Sequence, residues 1–287
     1  MIKGIILDVD GVLVGDTQGY NFPEPHPDVI KRLAEIHQKN IPIVLCTGKG
    51  NFAIESLVKK ANLTNPHIAD GGSLIINPLE KAIIKSAPLH ASLVKEIIQA
   101  CMQKHVYLEV YATENYYVQK DQENEQVTKK HSITLQKEPI LPDDLEKAVD
   151  NREIINMIAI ADNENDKKRV EEVLQPFSKH VELVWTLHPS LLPNQFYLIT
   201  AKGVSKKTAV EEVFLKLEIP LTEVLGVGDT MGDWSFMQEC EYVGVMGNAP
   251  DALKQKAREK DNNKFYIGGP VEKNGILEIF DYFVREM

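Results

Sequence analysis

Strand and helix patterns alternate at both ends of the chain, and this alternation restricts the fold more than any other feature. Short apolar runs at 3–7, 41–46 and 224–227 are typical of buried parallel strands, and segments with helical spacing of apolar residues follow them. Parallel strands require crossover connections, which are usually helices. The two ends of the chain therefore predict an α/β fold built on a doubly wound parallel sheet.

Residues 82–195 interrupt this alternation with a mixed pattern. The helix-like and strand-like runs within them lie at 89–102, 107–111, 116–119, 154–161, 166–174 and 181–185. We interpret the region as an α/β cap of residues 82–195, inserted into a Rossmann-like core of residues 1–81 and 196–287. The polar segment 121–130 predicts a loop or a solvated edge.

Composition and charge narrow the classes of partner. The chain has 287 residues, of which 43% are apolar, so it can bury one large core or two smaller ones. Its formal net charge of −10 argues against a nucleic acid partner, because a duplex-binding surface needs a basic stripe. Cys46, Cys101 and Cys240 fit no zinc spacing and predict reduced, buried thiols.

Membrane association and secretion are not expected either. The chain has no apolar run near the roughly 18 residues that span a bilayer. Asp8 and Asp10 interrupt the first apolar run, so it lacks the pattern of a secretory signal. We expect a cytoplasmic protein that is a monomer or a small homo-oligomer.

Two predicted core strands end in pairs of carboxylates. Asp8 and Asp10 follow the first strand, and Asp229 and Asp233 follow the strand at 224–227. Ligands of open α/β sheets bind at the carboxyl ends of the strands, where unpaired buried carboxylates would be costly. A hard cation such as magnesium is the natural partner. Taken alone, each segment is equally compatible with an acidic glycine turn.

A hydroxyl and a lysine occupy comparable positions. Thr47 and Gly48 follow the second strand, where a hydroxyl and close backbone amides can contact an anion. Lys206 opens a predicted helix, whose amino-terminal dipole also attracts phosphate. Lys202 and Lys207 are alternatives to it, and each segment alone is compatible with a glycine turn or a solvated helix end. The sequence has no GxxxxGK[ST] motif, so it contains no nucleotide P-loop.

The four segments occur in the order acid pair, hydroxyl, lysine and acid pair. This order and content resemble the haloacid dehalogenase (HAD) superfamily of phosphohydrolases, and the long insertion resembles the C2-type cap of its Cof-like type IIB group. The segment at 70–72 and Asn248 are also similar to that group. The resemblance implies a HAD-like core, a magnesium ion and a small phosphorylated metabolite as substrate.

The resemblance also implies a role for each residue. Asp8 would attack phosphorus and form an aspartyl-phosphate, and Asp10 would act as the acid and base. Thr47, Gly48 and Lys206 would bind the phosphoryl oxygens together with Asp8. The magnesium ligands would be Asp8, the backbone carbonyl of Asp10, and Asp229, with Asp233 supporting the ion or its waters.

Two positions depart from the type IIB pattern. Gly232 stands where an asparagine is usual, which puts the support of the metal ligands in question. Lys49 stands where an arginine usually follows the Thr-Gly pair.

The preferred function is magnesium-dependent hydrolysis of a phosphorylated metabolite, with a sugar phosphate as the substrate class that the resemblance implies. Two alternatives remain: a phosphotransferase or mutase on the same scaffold, and a non-catalytic binding or regulatory protein. The cap residues expected to contact substrate are Glu109, Tyr111, Tyr117 and Asn156. The eight histidines lack metal-ligand spacing and are expected to be ordinary surface or core residues: His26, His37, His67, His90, His105, His131, His180 and His188.

Overall fold

The computed structural model of the chain describes residues 1–187 and 191–284, so His188 lies outside the described residues. The strands, numbered in chain order, are β1 Gly4–Leu7, β2 Ile43–Leu45, β3 His67–Ala69, β4 Leu74–Asn77, β5 Ala82–Ser86, β6 Tyr107–Ala112, β7 Tyr116–Val118, β8 Ile154–Ala161, β9 Val181–Leu187, β10 Gln195–Ala201, β11 Val224–Gly228, β12 Tyr242–Val245 and β13 Phe265–Ile267. The α-helices are α1 Pro27–Gln38, α2 Glu55–Ala61, α3 Ala91–Gln103, α4 Lys130–Leu135, α5 Leu145–Val149, α6 Glu164–Leu174, α7 Lys206–Lys216, α8 Trp234–Met237, α9 Asp251–Arg258 and α10 Ile276–Phe283.

A five-stranded sheet in the order β13-β12-β11-β1-β2 forms the centre of the core, and all its neighbours are parallel. Alternate side chains of its strands point to opposite faces. Ile5 and Leu7 pack in an apolar cluster with α1, α2 and α10, whereas Ile6 packs in a second cluster with α7, α8 and α9. Helices thus cover both faces, and the predicted doubly wound α/β core is confirmed.

The region between the two halves of the core contains a separate antiparallel sheet in the order β7-β6-β8-β10-β9. One face packs against α3, α5 and α6. The other face meets α4 and the core segment Asn51–Ile54, whose Phe52 ring stacks on Tyr111 with centroids 6.3 Å apart. The cap sheet is therefore seated directly on the loop that follows β2.

A small antiparallel sheet, β3-β4-β5, lies next to the central sheet. Beyond β3, the carboxylate of Asp70 accepts hydrogen bonds from the Asn51 backbone amide at 3.1 Å and from the Asn156 side-chain amide of the cap at 2.9 Å. These three residues are buried and form a polar joint between core and cap.

Two features of the region refine the sequence-based description. Strand β10 begins at Gln195 and pairs with the cap strands β8 and β9, so we propose that the second domain boundary falls after Ala201 and not at 195/196. The prediction of a loop at 121–130 is partly wrong, because Glu125–Lys129 forms a π-helix that leads into α4. The Asn124 side chain caps this turn, and Val127 is buried against the cap sheet.

Among residues 1–187 and 191–284, no helix combines the length and apolar character needed to cross a bilayer. The three cysteines are free and buried, as predicted.

Candidate active site

Three neighbouring strands of the core deliver the predicted site residues to one edge of the sheet. Strand β1 pairs with β11 on one side and β2 on the other, all in parallel, so the residues after their carboxyl ends lie side by side. Asp8 follows β1, Thr47 follows β2, and Asp229 follows β11. The three side chains are at least nine-tenths buried.

Lys206 connects two of the carboxylates. It is the first residue of α7, whose amino terminus is closed by a capping box between Ser205 and Thr208. Its ammonium group lies 2.8 Å from Asp8 Oδ1 and 2.7 Å from Asp233 Oδ1. Burial opposes its charge, but the carboxylates of Asp233 and Asp8 raise the pKa of Lys206 well above the usual value.

The two alternative lysines lie elsewhere. Lys202 contacts Glu182, and Lys207 contacts Glu239 at 2.6 Å on the protein surface. Of these three lysines, Lys206 is therefore the one that the structure places against the acids.

Gly72 allows the start of α7 to approach this edge. Its φ is +106°, and a Cβ at this position would lie 2.4 Å from the carbonyl oxygen of Ser205 and 3.1 Å from the backbone nitrogen of Lys206. Only a residue without a side chain fits such a contact.

Asp229 and Asp233 are held by different partners. Asp233 accepts hydrogen bonds from the Thr230 hydroxyl at 2.7 Å and from the backbone amides of Asp229 and Thr230. The side-chain amide of Asn248 donates to Asp229 Oδ2 at 3.0 Å. Thr230 and Asn248 thus orient these acids, even though Gly232 has no side chain to do so. Asp229 Oδ1, by contrast, is buried without a hydrogen-bond partner.

This acidic cluster has the character of a cation site. Carboxylate oxygens of Asp8, Asp229 and Asp233 lie within 4.8 Å of one another. Burial, reinforced by Asp233 and opposed by Lys206, raises the pKa of Asp8 to about 7. Burial, then Asp8 and Asp233, raises the pKa of Asp229 well above its usual value. The unpaired Asp229 oxygen and the mutual repulsion of these carboxylates fit a hard divalent cation, which prefers oxygen ligands.

Asp10 and Lys49 form a second ion pair at the same edge. Lys49 Nζ lies 2.5 Å from Asp10 Oδ1, and the lysine side chain is only 6% exposed. The Thr47 hydroxyl accepts a hydrogen bond from the Lys49 backbone amide at 3.1 Å, which fixes the turn that contains Gly48. With all acids ionised, four carboxylates (Asp8, Asp10, Asp229 and Asp233) face two lysines, which leaves two negative charges.

A cleft between core and cap opens above these groups. Its volume is about 520 Å³ when the open solvent at its mouth is counted. The core contributes Asp8, Asp10, Gly48, Lys49, Lys206 and Thr230 to its lining, and the cap contributes His131, Ile158, Thr186, Leu187 and Phe196. Of the predicted residues, Asp8, Asp10, Gly48 and Lys206 face this cleft. Thr47, Asp229 and Asp233 lie buried at its base.

The four cap residues predicted to contact substrate do not line the cleft. Glu109, Tyr111, Tyr117 and Asn156 are each no more than 2% exposed and lie inside the cap or at its joint with the core. Glu109, Tyr111 and Asn156 lie on the cap face that meets the core, but His131 of α4, Phe52 and Asp70 cover them, and Tyr117 lies on the opposite face. The prediction fails because the sequence does not show which parts of that face other elements cover. Sequence reasoning also missed His131, which reaches the cleft from α4. The polar segment 121–130 before it predicts a loop or a solvated edge, so no local pattern singles His131 out.

Comparison with known proteins agrees with the fold. A profile of the haloacid dehalogenase-like hydrolase family matches residues 5–279. A phosphoglycolate phosphatase of Staphylothermus marinus is 23% identical over 257 residues, covering 90% of each chain. A haloacid dehalogenase-like hydrolase from Bacteroides thetaiotaomicron superposes with a TM-score of 0.83 at 18% identity, covering 98% of this chain and 99% of the other. A sugar phosphatase of HAD subclass IIB superposes with a TM-score of 0.77 at 23% identity, covering 98% and 99%.

A doubly wound α/β core with an acidic, lysine-bridged cleft beneath an inserted cap defines a phosphoryl-transfer enzyme of the HAD type. The chain belongs to the haloacid dehalogenase-like hydrolase family, as its sequence motifs predict. Within that family it is a phosphatase, a phosphoric monoester hydrolase.

Proposed function

We propose that the protein hydrolyses a small phosphorylated metabolite in a magnesium-dependent reaction that passes through an aspartyl-phosphate on Asp8. The observation that carries the proposal is the position of Asp8: it is buried at the carboxyl end of β1, 2.8 Å from Lys206, and it faces the cleft. A carboxylate nucleophile divides one slow hydrolysis into two displacements, each with a lower barrier.

In the first displacement, a carboxylate oxygen of Asp8 forms a bond to phosphorus, and the bond from phosphorus to the leaving oxygen breaks. Asp10, two residues further along the same turn, has to enter this step protonated, and it donates that proton to the leaving oxygen. Lys206 offsets the negative charge of Asp8 and of the phosphoryl group, with Thr47 and the backbone at Gly48 as further donors.

In the second displacement, Asp10 removes a proton from water, whose oxygen attacks phosphorus as the bond to Asp8 breaks. Lys49, 2.5 Å from Asp10, stabilises the ionised carboxylate that this step requires. The products are inorganic phosphate, the alcohol and the unmodified enzyme.

The residues that would hold magnesium are Asp8, Asp229 and the backbone carbonyl of Asp10, while Asp233 and Asn248 keep the acids in place. A bound divalent cation supplies positive charge that lets an anionic nucleophile approach an anionic phosphate ester. The unpaired Oδ1 of Asp229 supports this assignment.

Sugar phosphates are the first substrate class to test. The similarity to a subclass IIB sugar phosphatase favours them. The cap side of the cleft would select the leaving group, because the phosphoryl-binding groups all come from the core.

The test is a panel of phosphorylated metabolites incubated with magnesium and with wild type, Asp8→Asn or the exposed control Asp121→Asn. We expect phosphate release by wild type and by Asp121→Asn but not by Asp8→Asn. Wild-type turnover by Asp8→Asn would refute the nucleophile. Phosphate transfer that depends on an added sugar, without release of inorganic phosphate, would instead identify a phosphotransferase.

A further inference from the structure

A buried carboxylate in the cap fixes the orientation of one histidine at the cleft. Glu109 lies on β6, is fully buried, and has both oxygens 2.9–3.0 Å from His131 Nδ1. The Tyr111 hydroxyl donates to it at 2.5 Å, and the Tyr107 hydroxyl at 3.2 Å. A buried carboxyl group with three hydrogen-bond partners is a costly arrangement that packing alone does not require.

Glu109 contacts Nδ1 of the His131 ring, and two tyrosine hydroxyls donate to the same carboxyl group. Burial and the nearby Glu109 raise the pKa of both Tyr107 and Tyr111 well above the usual value, so each hydroxyl keeps its proton and donates. Both Glu109 oxygens lie 2.9–3.0 Å from His131 Nδ1, so this ring nitrogen is already engaged within the cap. Of the two ring nitrogens, Nε2 is therefore the one that can bind another molecule.

His131 lies on the wall of the cleft, where its ring can contact a bound substrate. Its ring packs on Phe196 with centroids 5.0 Å apart, and both rings line the cleft whose base holds Asp8. The surrounding cap surface is largely apolar, since Ile158 and Leu187 complete it along with Thr186. The imidazole is thus a polar group with a fixed direction on an apolar wall that faces the phosphoryl-binding residues.

We propose that His131 binds an oxygen of the substrate's leaving group, a hydroxyl or a carboxylate, and determines which phosphate esters the enzyme prefers. Glu109 is its positioning residue. The inference rests on the proposed function and adds the substrate-selecting contact to it. A leaving group without such an oxygen would still meet the apolar wall and the phosphoryl-binding residues, but it would gain nothing from His131.

The experiment compares two kinds of substrate. Phenyl phosphate has a leaving group with no further oxygen, whereas the best hydroxyl-bearing and carboxylate-bearing monophosphates from the panel each have one. The variants are His131→Ala, His131→Gln, Glu109→Gln and the exposed cap control His180→Ala, each assayed for kcat and KM after its melting temperature is measured.

We expect His131→Ala to reduce kcat/KM for one oxygen-bearing class by about 10- to 100-fold, the loss of one well-placed hydrogen bond. Its kcat/KM for phenyl phosphate should stay within about threefold, because the phosphoryl site is intact. The deciding quantity is the ratio of kcat/KM for that oxygen-bearing class to kcat/KM for phenyl phosphate. His131→Gln should recover part of the loss in this ratio, Glu109→Gln should reduce the ratio, and His180→Ala should match wild type. The substrate class whose kcat/KM falls shows whether His131 binds a hydroxyl or a carboxylate.

An equal loss on phenyl phosphate and on the oxygen-bearing substrates would overturn the inference, since it would mean that the network only keeps the cap folded. An unchanged ratio in both His131 variants would overturn it as well. If His131→Ala does not fold, the ratio in His131→Gln and Glu109→Gln decides. If wild type hydrolyses no member of the panel, the proposed function itself fails, and this outcome is distinct from active enzyme with an unchanged ratio.

Discussion

Replacing Lys206 with methionine tests the electrostatic design of the site. The lysine is 20% exposed and lies 2.8 Å from Asp8 and 2.7 Å from Asp233. At an effective dielectric constant near 20, each contact amounts to about 6 kcal/mol before desolvation is subtracted. Removing one partner of a buried ion pair typically costs about 3–5 kcal/mol, because the remaining charges are left uncompensated. Methionine keeps most of the apolar stem, so the loss of packing is small.

For a chain of roughly this size, that loss lowers the melting temperature by about 6–20 °C. The reduction in kcat/KM should reach about 10²- to 10³-fold, the usual effect of losing one charge-stabilising donor. Lys207→Met is the matched control: its pair with Glu239 is on the surface and is worth at most about 1 kcal/mol. Thermal unfolding in the presence of a chelator measures the melting temperature, and phosphatase assays measure kcat/KM. If Lys206→Met and Lys207→Met lose equal stability and activity, the reasoning is refuted.

Three further predictions concern the cation site, the start of α7 and the joint between core and cap. Magnesium at about 100 times its dissociation constant should raise the free energy of unfolding of wild type in urea by about 2.7 kcal/mol. Asp229→Asn should show no such increase. An equal increase in both proteins would exclude Asp229 as a ligand. Gly72→Ala should lower both stability and kcat/KM, because the added Cβ pushes against Ser205 and Lys206. Gly19→Ala is the control: its φ is +78° and no atom lies within 4 Å of an added Cβ, so it should show only the backbone strain. Equal losses in the two variants would contradict the role of the contact at Gly72. Burial, opposed by hydrogen bonds from Asn51 and Asn156, raises the pKa of Asp70 from 3.8 to about 7. Between these two pH values the folded protein keeps a proton on Asp70 that the unfolded chain releases. The free energy of unfolding should therefore fall as the pH rises from about 4 to 7, by at most about 4 kcal/mol. Asp70→Asn should remove this slope in unfolding measurements at pH 5 and pH 7, since the Asn156 amide can turn its unpaired oxygen towards the new donor; an unchanged slope would assign it to other groups.

The core could be predicted from sequence because its signals are local. The apolar run before Asp8, the run before Asp229 and the helix start at Lys206 each carry their own pattern within a few residues. Their convergence follows from one rule, that parallel strands present their carboxyl ends at the same edge. The structure confirms that α/β arrangement and brings carboxylate oxygens of Asp8, Asp229 and Asp233 within 4.8 Å of one another, with Lys206 in contact with Asp8 and Asp233.

The cap could not be predicted to the same depth, because its signals are non-local. Glu109 lies on the cap face that meets the core, opposite Ile158 of β8, but α4 covers it, so it lies behind His131 and not at the predicted substrate contact. The sequence of β6 alone does not show that a later helix packs over this position. The side-chain roles of Asn248 and Thr230 depend likewise on contacts between distant loops or on the exact turn after β11. The glycine at position 232 suggests that the metal ligands lose a supporting side chain, but Thr230 and Asn248 support Asp233 and Asp229 instead.

The most direct measurement of the central claim is the mass of the Asp8 peptide after wild-type enzyme is mixed with substrate and magnesium and quenched in acid within the first turnover. The account predicts a phosphoryl group on that peptide, attached to Asp8, and its absence from Asp8→Asn treated in the same way. Rapid phosphate release with an unmodified Asp8 peptide, or a phosphoryl group on another residue, would contradict it.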